Sequence, residues 1–107
     1  MKLVVAIVNN DDCHSVLNEI TRNGFSATKL STSGGFLRAG NATLLIGAED
    51  EKVSEIMEIF KRFSSKRSEF VETSSSLSGE SFMTMPVEVT VGGATVFVLD
   101  VEQFYKL

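Results

Sequence analysis

The sequence predicts an α+β domain in which two helices cover one face of an antiparallel sheet. Short apolar and β-branched runs alternate with two segments of helical periodicity along a chain of 107 residues, a length that suits one domain. Clusters of glycine and asparagine separate these segments, as turns between elements require. The hydrophobic fraction of 43% and the charged fraction of 22% are ordinary for a globular protein.

The first part of the chain predicts a strand, a helix and a second strand. Residues 3–8 are a continuous apolar run, typical of a strand that is buried on both faces. Residues 9–12 form a turn of N-cap residue types, and a helix is expected over about 13–23. Gly24 is placed to follow the helix C-cap, where a positive φ is favoured. Residues 25–30 alternate in side-chain direction as a second strand.

The middle of the chain predicts a third strand, a second helix and a long loop. The third strand is expected over 42–47, and the acidic residues 49–51 favour a helix start through the helix dipole. A helix over 50–63 is indicated by apolar residues at helical spacing, namely Val53, Ile56, Met57, Phe60 and Phe63. Residues 66–80 show no period and carry five serines, so we expect a loop there.

The last part of the chain predicts a β-hairpin. Valines alternate with polar residues over 87–91, and a second strand is expected over 94–99. Gly92 and Gly93 between them are typical of a two-residue hairpin turn. A short final helical turn is expected over 101–106.

The resulting order β-α-β-β-α-β, with its last strand elaborated into a hairpin, is the ferredoxin-like split pattern. Two helices cover one face of such a sheet, so in so short a chain we expect a second subunit to cover the other face. The hairpin register would place Phe97 opposite Glu88 on the more polar face, where a core role does not explain it. We interpret Phe97 as part of a subunit interface or as a stacking surface for a ligand base, and the two interpretations are compatible.

Composition restricts the function classes. The net charge of −4 disfavours binding to a nucleic-acid polymer. The single cysteine, Cys13, cannot form an intramolecular disulfide, and the N-terminal apolar run is too short for a signal peptide or a membrane span. We therefore expect a cytoplasmic protein without membrane insertion. Cys13 and His14 do not share a helix face, so we interpret them as solvent-facing side chains rather than as a metal or thiol site.

A glycine-rich segment, residues 33–43, carries the clearest functional signal. Gly35 and Gly40 have the spacing of a phosphate-binding P-loop, but Asn41 and Ala42 stand where that loop needs a lysine and a hydroxyl. Backbone amides in such a segment still suit a phosphate or a nucleotide. The segment therefore predicts ligand binding rather than nucleotide hydrolysis, and the alternative is a hairpin that only connects two strands. No set of nucleophile, base and metal ligands can be assembled, so an enzyme is not expected.

Two long blocks of the sequence resemble the PII-like cyclic di-AMP receptor family. They are residues 24–43, GFSATKLSTSGGFLRAGNAT, and residues 86–99, PVEVTVGGATVFVL. The resemblance extends over nearly the whole chain. It implies a single PII-like domain over 1–107 that forms a cytoplasmic homotrimer. It also implies a T-loop at about 31–40 and a B-loop at about 65–82, which ligand binding is expected to order.

The resemblance further implies a function and a set of site residues. The protein would bind cyclic di-AMP in three clefts between subunits, without catalysis or cofactor, and relay binding through its loops to an unknown downstream protein. The positions that match the family's ligand-binding pattern are Thr28, Gly35, Phe36, Leu37, Asn41, Gly47 and Phe97.

Three positions depart from the family pattern. The family has Asn at the position of Gly24, Arg at the position of Ser26 and Gln at the position of Lys106. Hydrogen bonds from an amide or a guanidinium to a ligand are worth roughly 1–3 kcal/mol each. The alternative function is therefore a trimeric protein-interaction scaffold that has lost cyclic di-AMP binding or binds another nucleotide such as ATP.

Overall fold

The computed structural model describes residues 1–30, 40–73 and 85–107, and in these ranges six strands form two antiparallel sheets. A 3₁₀ turn over Asp50–Lys52 leads directly into the second of two helices. The helices are α1 (Asn10–Arg22) and α2 (Val53–Ser64). The strands are β1 (Lys2–Asn9), β2 (Ala27–Leu30), β3 (Asn41–Ala48), β4 (Arg67–Thr73), β5 (Met85–Val91) and β6 (Ala94–Asp100).

The main sheet has four strands in the order β2-β3-β1-β6, and every neighbouring pair is antiparallel. With both helices on one face, this arrangement is compatible with the predicted ferredoxin-like fold. The register places Val5 of β1 between Leu45 of β3 and Phe97 of β6. Alternate residues therefore point either toward the helices or toward the opposite face, which is here called the open face.

The core lies between the helices and one face of the main sheet. Side chains at even-numbered positions from Val4 to Val8 of β1 and from Ala42 to Ala48 of β3 are buried there, because successive strand residues alternate between faces. Ile20 of α1 and Ile56 of α2 are fully buried against them, together with Val4, Ala6, Val8, Val16, Ala42, Leu44, Ile46 and Phe60. No helix in the part of the chain that the structure describes is long and apolar enough to cross a membrane.

Helix α1 begins three residues earlier than the sequence predicts because Asn9 is its N-cap. The Asn9 side chain accepts a hydrogen bond of 2.8 Å from the backbone N–H of Asp11. At the other end the prediction for Gly24 is confirmed, since this residue follows the C-cap with a φ of +87°. His14 is exposed as expected, whereas the expectation for Cys13 is wrong, because Cys13 is only 3% exposed and packs in the core.

The second sheet overturns two predictions. Residues 67–73, expected as loop, form β4, which pairs with β5 from Arg67 opposite Val91 to Thr73 opposite Met85. The predicted hairpin between β5 and β6 does not form, because β6 instead extends the main sheet along β1. Gly92 and Gly93, with φ values of +80° and +89°, turn the chain between the two sheets.

The predicted helical turn over 101–106 is also absent from the structure, where these residues have no regular structure. The N–H of Val101 donates to the carbonyl of Met1 at 3.2 Å, which continues the β1–β6 ladder by one more bond. Pairing with β1 satisfies this backbone group without a helix.

The base of the β4–β5 ribbon is tied to the main body by polar contacts. The Arg67 guanidinium binds the Asp12 carboxylate through both nitrogens, at 2.7 Å to Oδ1 and 3.3 Å to Oδ2. The Asp12 side chain is 7% exposed, so this pairing offsets the desolvation of a buried charge. The N–H of Gly93 donates to the Ser64 carbonyl at 2.5 Å.

Candidate functional site

The open face of the main sheet is largely apolar. It carries the odd-numbered positions of β1, β3 and β6, opposite the residues that face the helices. Phe97 is 52% exposed on this face and Leu99 is 49% exposed. The register also places Leu3, Val5, Ile7 and Leu45 on this face. Exposure of neighbouring large apolar side chains is typical of an interaction surface.

Phe97 occupies the open face for a different reason from the one predicted. The expected pairing with Glu88 is wrong, because β5 and β6 belong to different sheets. Phe97 instead lies opposite Val5 on β1. Its two interpretations, subunit interface and base-stacking surface, both stay predictions.

Four of the predicted ligand-binding residues fall on this same open face. Thr28 lies opposite Leu45, and Asn41 and Gly47 share the side of β3 on which Leu45 lies. Phe97 joins them from β6. The remaining three predicted residues, Gly35, Phe36 and Leu37, lie outside the described residues.

Thr28 and Gly47 meet in one cleft of about 750 Å³, here called the tail cleft because residues 101–106 form one of its walls. The three positions that depart from the family pattern, Gly24, Ser26 and Lys106, line the same cleft. Two predicted ligand-binding residues and the three positions that depart from the family pattern are thus neighbours in the structure. An added Cβ at Gly47 would lie 3.9 Å from Met1 Cε, which is an ordinary van der Waals contact. The fold therefore does not require glycine at this position, but the absence of a side chain leaves more room in the cleft.

Asn41 lies in a second cleft of about 590 Å³ at the other end of the sheet, which also contains Gly92 and Gly93. Asn41 and Gly47 are six positions apart along β3, a distance of roughly 20 Å at the rise of an extended strand. Phe97 lines neither of the two clefts. Within one chain the structure therefore brings Thr28 and Gly47 together and leaves Asn41 and Phe97 apart from them.

The charged residues that line the tail cleft include Glu49, Lys52 and Lys106, with the Met1 amine, and two ion pairs lie near this end of the sheet. The Met1 amine, on the cleft wall, lies 2.9 Å from Asp50 Oδ1. The hydrogen bond to Asp50 raises the pKa of the Met1 amine, and the same bond lowers the pKa of the Asp50 carboxyl. Lys2 pairs with Asp100, whose hydrogen bond raises the pKa of the lysine. Each of these two cations therefore already has an acidic partner.

The residues of the tail cleft that sequence reasoning missed include Lys52, Phe104 and Tyr105. Phe104 and Tyr105 are 62% and 71% exposed. The sequence does contain an indication of these two residues, because two adjacent aromatic side chains precede Lys106 in a polar segment. They were not identified as site residues because the segment was interpreted as a helical turn. Lys52 carried no local signal, because only the fold brings the start of α2 beside β2. Among the described residues, no group of three or more acidic, histidine or cysteine side chains could hold a metal ion.

Comparisons with known proteins match all or nearly all of the chain. A family model described as cyclic-di-AMP receptor matches residues 1–107, the whole chain. The fold also matches the crystal structure of a functionally unknown protein from Pediococcus pentosaceus ATCC 25745, with a TM-score of 0.78 and 43% sequence identity. That match covers 99% of this chain and 96% of the other.

Proposed function

This chain belongs to the cyclic-di-AMP receptor family, and we propose that it is a non-enzymatic, PII-like signal protein that binds cyclic di-AMP. The observation that carries the proposal is the family match over the full length of the chain. The tail cleft supports it, because Thr28 and Gly47 line one cavity on the open face. A concave site with a few convergent polar groups is where a small ligand is expected to bind.

We further propose that the complete ligand site forms between subunits of a homotrimer. The open face exposes Phe97 and Leu99, and burial of this apolar area would stabilise an assembly at roughly 25 cal/mol per Å². Asn41 and Phe97 lie outside the tail cleft of their own chain. A ligand that contacts all the predicted residues would therefore need side chains from a second copy, and the threefold arrangement follows the family resemblance.

Signal relay is proposed to run through the T-loop and the B-loop. Binding at the open face would change the order of residues 31–40, which connect β2 to β3, and of the segment 65–82. Part of the latter segment is strand β4, which Arg67 ties to Asp12 of α1. The base of the β4–β5 ribbon would thus stay attached to α1, while the rearranged residues contact a downstream protein.

One observation favours a second candidate function. Gly24 and Ser26 both line the tail cleft, and neither offers the amide or guanidinium donors that the family pattern has there. The second candidate is a trimeric interaction scaffold that has lost cyclic di-AMP binding or binds another nucleotide such as ATP.

A thermal-shift titration with cyclic di-AMP, cyclic di-GMP, ATP and AMP separates these functions. A ligand present at 100 times its Kd stabilises the native state by about 2.7 kcal/mol per site, which corresponds to a shift of roughly 10 °C for a domain of this size. We expect this shift with cyclic di-AMP alone. A shift with ATP alone, or with none of the four, would reject the proposal in favour of the second candidate.

Two substitutions test the residues. Asn41→Ala and Phe36→Ala are each expected to weaken cyclic di-AMP binding by tenfold or more, since each removes a direct contact in the proposed site. Asn18→Ala, on an exposed position of α1, is the matched control and should leave affinity unchanged. Native affinity in both site variants would remove these residues from the site.

A further inference from the structure

We propose that Lys52 is a phosphate-binding residue of the tail cleft, and that it acts together with Lys106 on the two phosphodiester groups of a cyclic dinucleotide. This inference rests on the proposed function, and it assigns to that site a residue that sequence reasoning did not find. Both lysines line the cleft that also contains Thr28 and Ser26.

The Lys52 ammonium group is available to a ligand. Its side chain is 53% exposed, and its ion pair with Glu55 has an N–O distance of 3.7 Å, longer than a charge-assisted hydrogen bond. Exposed pairs of this kind contribute little stability and are readily exchanged. A lysine ammonium carries three N–H donors, so it can bind a phosphate oxygen while it stays close to Glu55.

The position of Lys52, directly before the first residue of α2, is electrostatically unfavourable for a cation when no ligand is bound. Lys52 is the residue that immediately precedes α2, and its side chain does not cap the helix. The helix dipole places partial positive charge at this end, so a lysine here is less favourable than an acidic residue. A bound anion reverses this balance, because the helix end and the ammonium would then both attract the same negative charge.

The charges of the cleft complement a ligand with two negative groups. Ser26 supplies no charge, and the Met1 amine is engaged by Asp50. Lys52 and Lys106 therefore supply the two cations that face one phosphodiester each, while Glu49 is an acidic residue on the same wall. Each lysine contributes mainly through a charge-assisted hydrogen bond, which is stronger than one between neutral groups.

Calorimetric titration of the full chain with cyclic di-AMP tests this assignment. Lys52→Gln and Lys106→Gln are each expected to weaken binding about tenfold and to reduce its dependence on salt. Lys52→Arg, which keeps the charge, should bind within about threefold of the native chain. The matched control is Lys61→Gln, because Lys61 is also an exposed α2 lysine in an i,i+3 pair, with Glu58 at 3.4 Å, and it does not line the tail cleft.

A rescue variant distinguishes a phosphate contact from a structural role. Ser26→Arg introduces a cation into the same cleft, so in the Lys52→Gln background it should restore affinity to within about threefold of the native chain, and it should raise affinity less in the native background, where Lys52 is present. If the native chain binds and Lys52→Gln binds equally well, the assignment is wrong and the proposed function stands. If Lys52→Arg binds as weakly as Lys52→Gln, Lys52 is not a charge contact. If the native chain does not bind cyclic di-AMP, both the assignment and the proposed function fail.

Discussion

Substitution of Gly92 by alanine should destabilise the junction between the two sheets more than any other glycine change in the described part of the chain. Gly92 has a φ of +80°, which L-residues rarely adopt. A Cβ added there would lie 2.6 Å from Arg67 Nη1 and 2.8 Å from the Ser65 carbonyl oxygen. The Ser65 carbonyl belongs to the C-cap residue of α2 and cannot move without a shift of the backbone between α2 and β4, so the guanidinium must be displaced from Asp12.

The magnitude follows from two contributions. The left-handed backbone costs about 1–2 kcal/mol for a residue with a Cβ. Separating a buried ion pair costs about 3–5 kcal/mol, but the Arg67 side chain is 41% exposed, and solvent screening reduces that figure to about 1–2 kcal/mol. We expect Gly92→Ala to lower the free energy of unfolding by about 2–4 kcal/mol.

Gly24→Ala is the matched control. Gly24 has a similar φ of +87° but no atom within 4 Å of an added Cβ, so only the backbone cost of about 1–2 kcal/mol applies. Urea unfolding measures the free energy of unfolding of both variants. Both are compared at one fixed protein concentration, so that any contribution from subunit assembly is the same for each. The reasoning is refuted if Gly92→Ala and Gly24→Ala lower the free energy of unfolding equally.

Three further results are expected. Arg67→Gln should destabilise the protein by about 1–3 kcal/mol because it leaves the buried Asp12 carboxylate without its cation, and Asp12→Asn in the same chain should recover part of that loss in urea unfolding. Ile20→Ala should cost about 2–5 kcal/mol by the same assay, since this side chain is fully buried, and a cost below 1 kcal/mol would contradict its place in the core. The Met1–Asp50 pair should make stability depend on pH at both ends of the range. Asp50 has a lowered pKa, so its contribution is present above the unfolded value of 3.8 and is lost as pH falls through the folded value. The Met1 amine has a raised pKa, so its contribution is present below the unfolded value of 8.0 and is lost as pH rises through the folded value. Asp50→Asn should flatten both limbs in a series of thermal melts, and unchanged limbs would show that the pair does not form in solution.

The first three strands of the main sheet and the two helices could be predicted from sequence because their signals are local. The apolar run of β1 and the helical spacing of α2 each reflect burial against the same core, so periodicity alone places them. Gly24 was predicted correctly for the same reason, since a helix that ends at Arg22 needs a residue with positive φ two positions later.

The second sheet could not be predicted because its pairing is a long-range choice. Gly92 and Gly93 have the positive φ values of a hairpin turn, and the valines on either side suit a strand in either sheet. In the structure, β6 pairs with the edge of β1 that β3 leaves free, and β5 pairs with β4. The sequence of β4 did not indicate a strand, because it adjoins a serine-rich segment. Neither fact is visible within a few residues of the turn.

The fold groups only part of the predicted site, and the assignment of its residues to a ligand stays a prediction. Thr28 and Gly47 were identified through the family resemblance, and the fold brings them into one cleft. Lys52 was missed because it precedes α2, far in sequence from Ser26 and Lys106. The antiparallel pairing of β2 with β3 brings the end of β3 close to the start of β2. Lys52, which follows β3, and Ser26, which precedes β2, therefore become neighbours only in the folded chain.

The most direct test of this account is the stoichiometry of cyclic di-AMP binding to the native full chain, measured by calorimetry together with the mass of the assembly. We predict saturable binding of one cyclic di-AMP per chain, by an assembly of three 11.7 kDa chains, and no heat from cyclic di-GMP at the same concentration. No heat from cyclic di-AMP, or saturable binding to a monomer, would contradict the account.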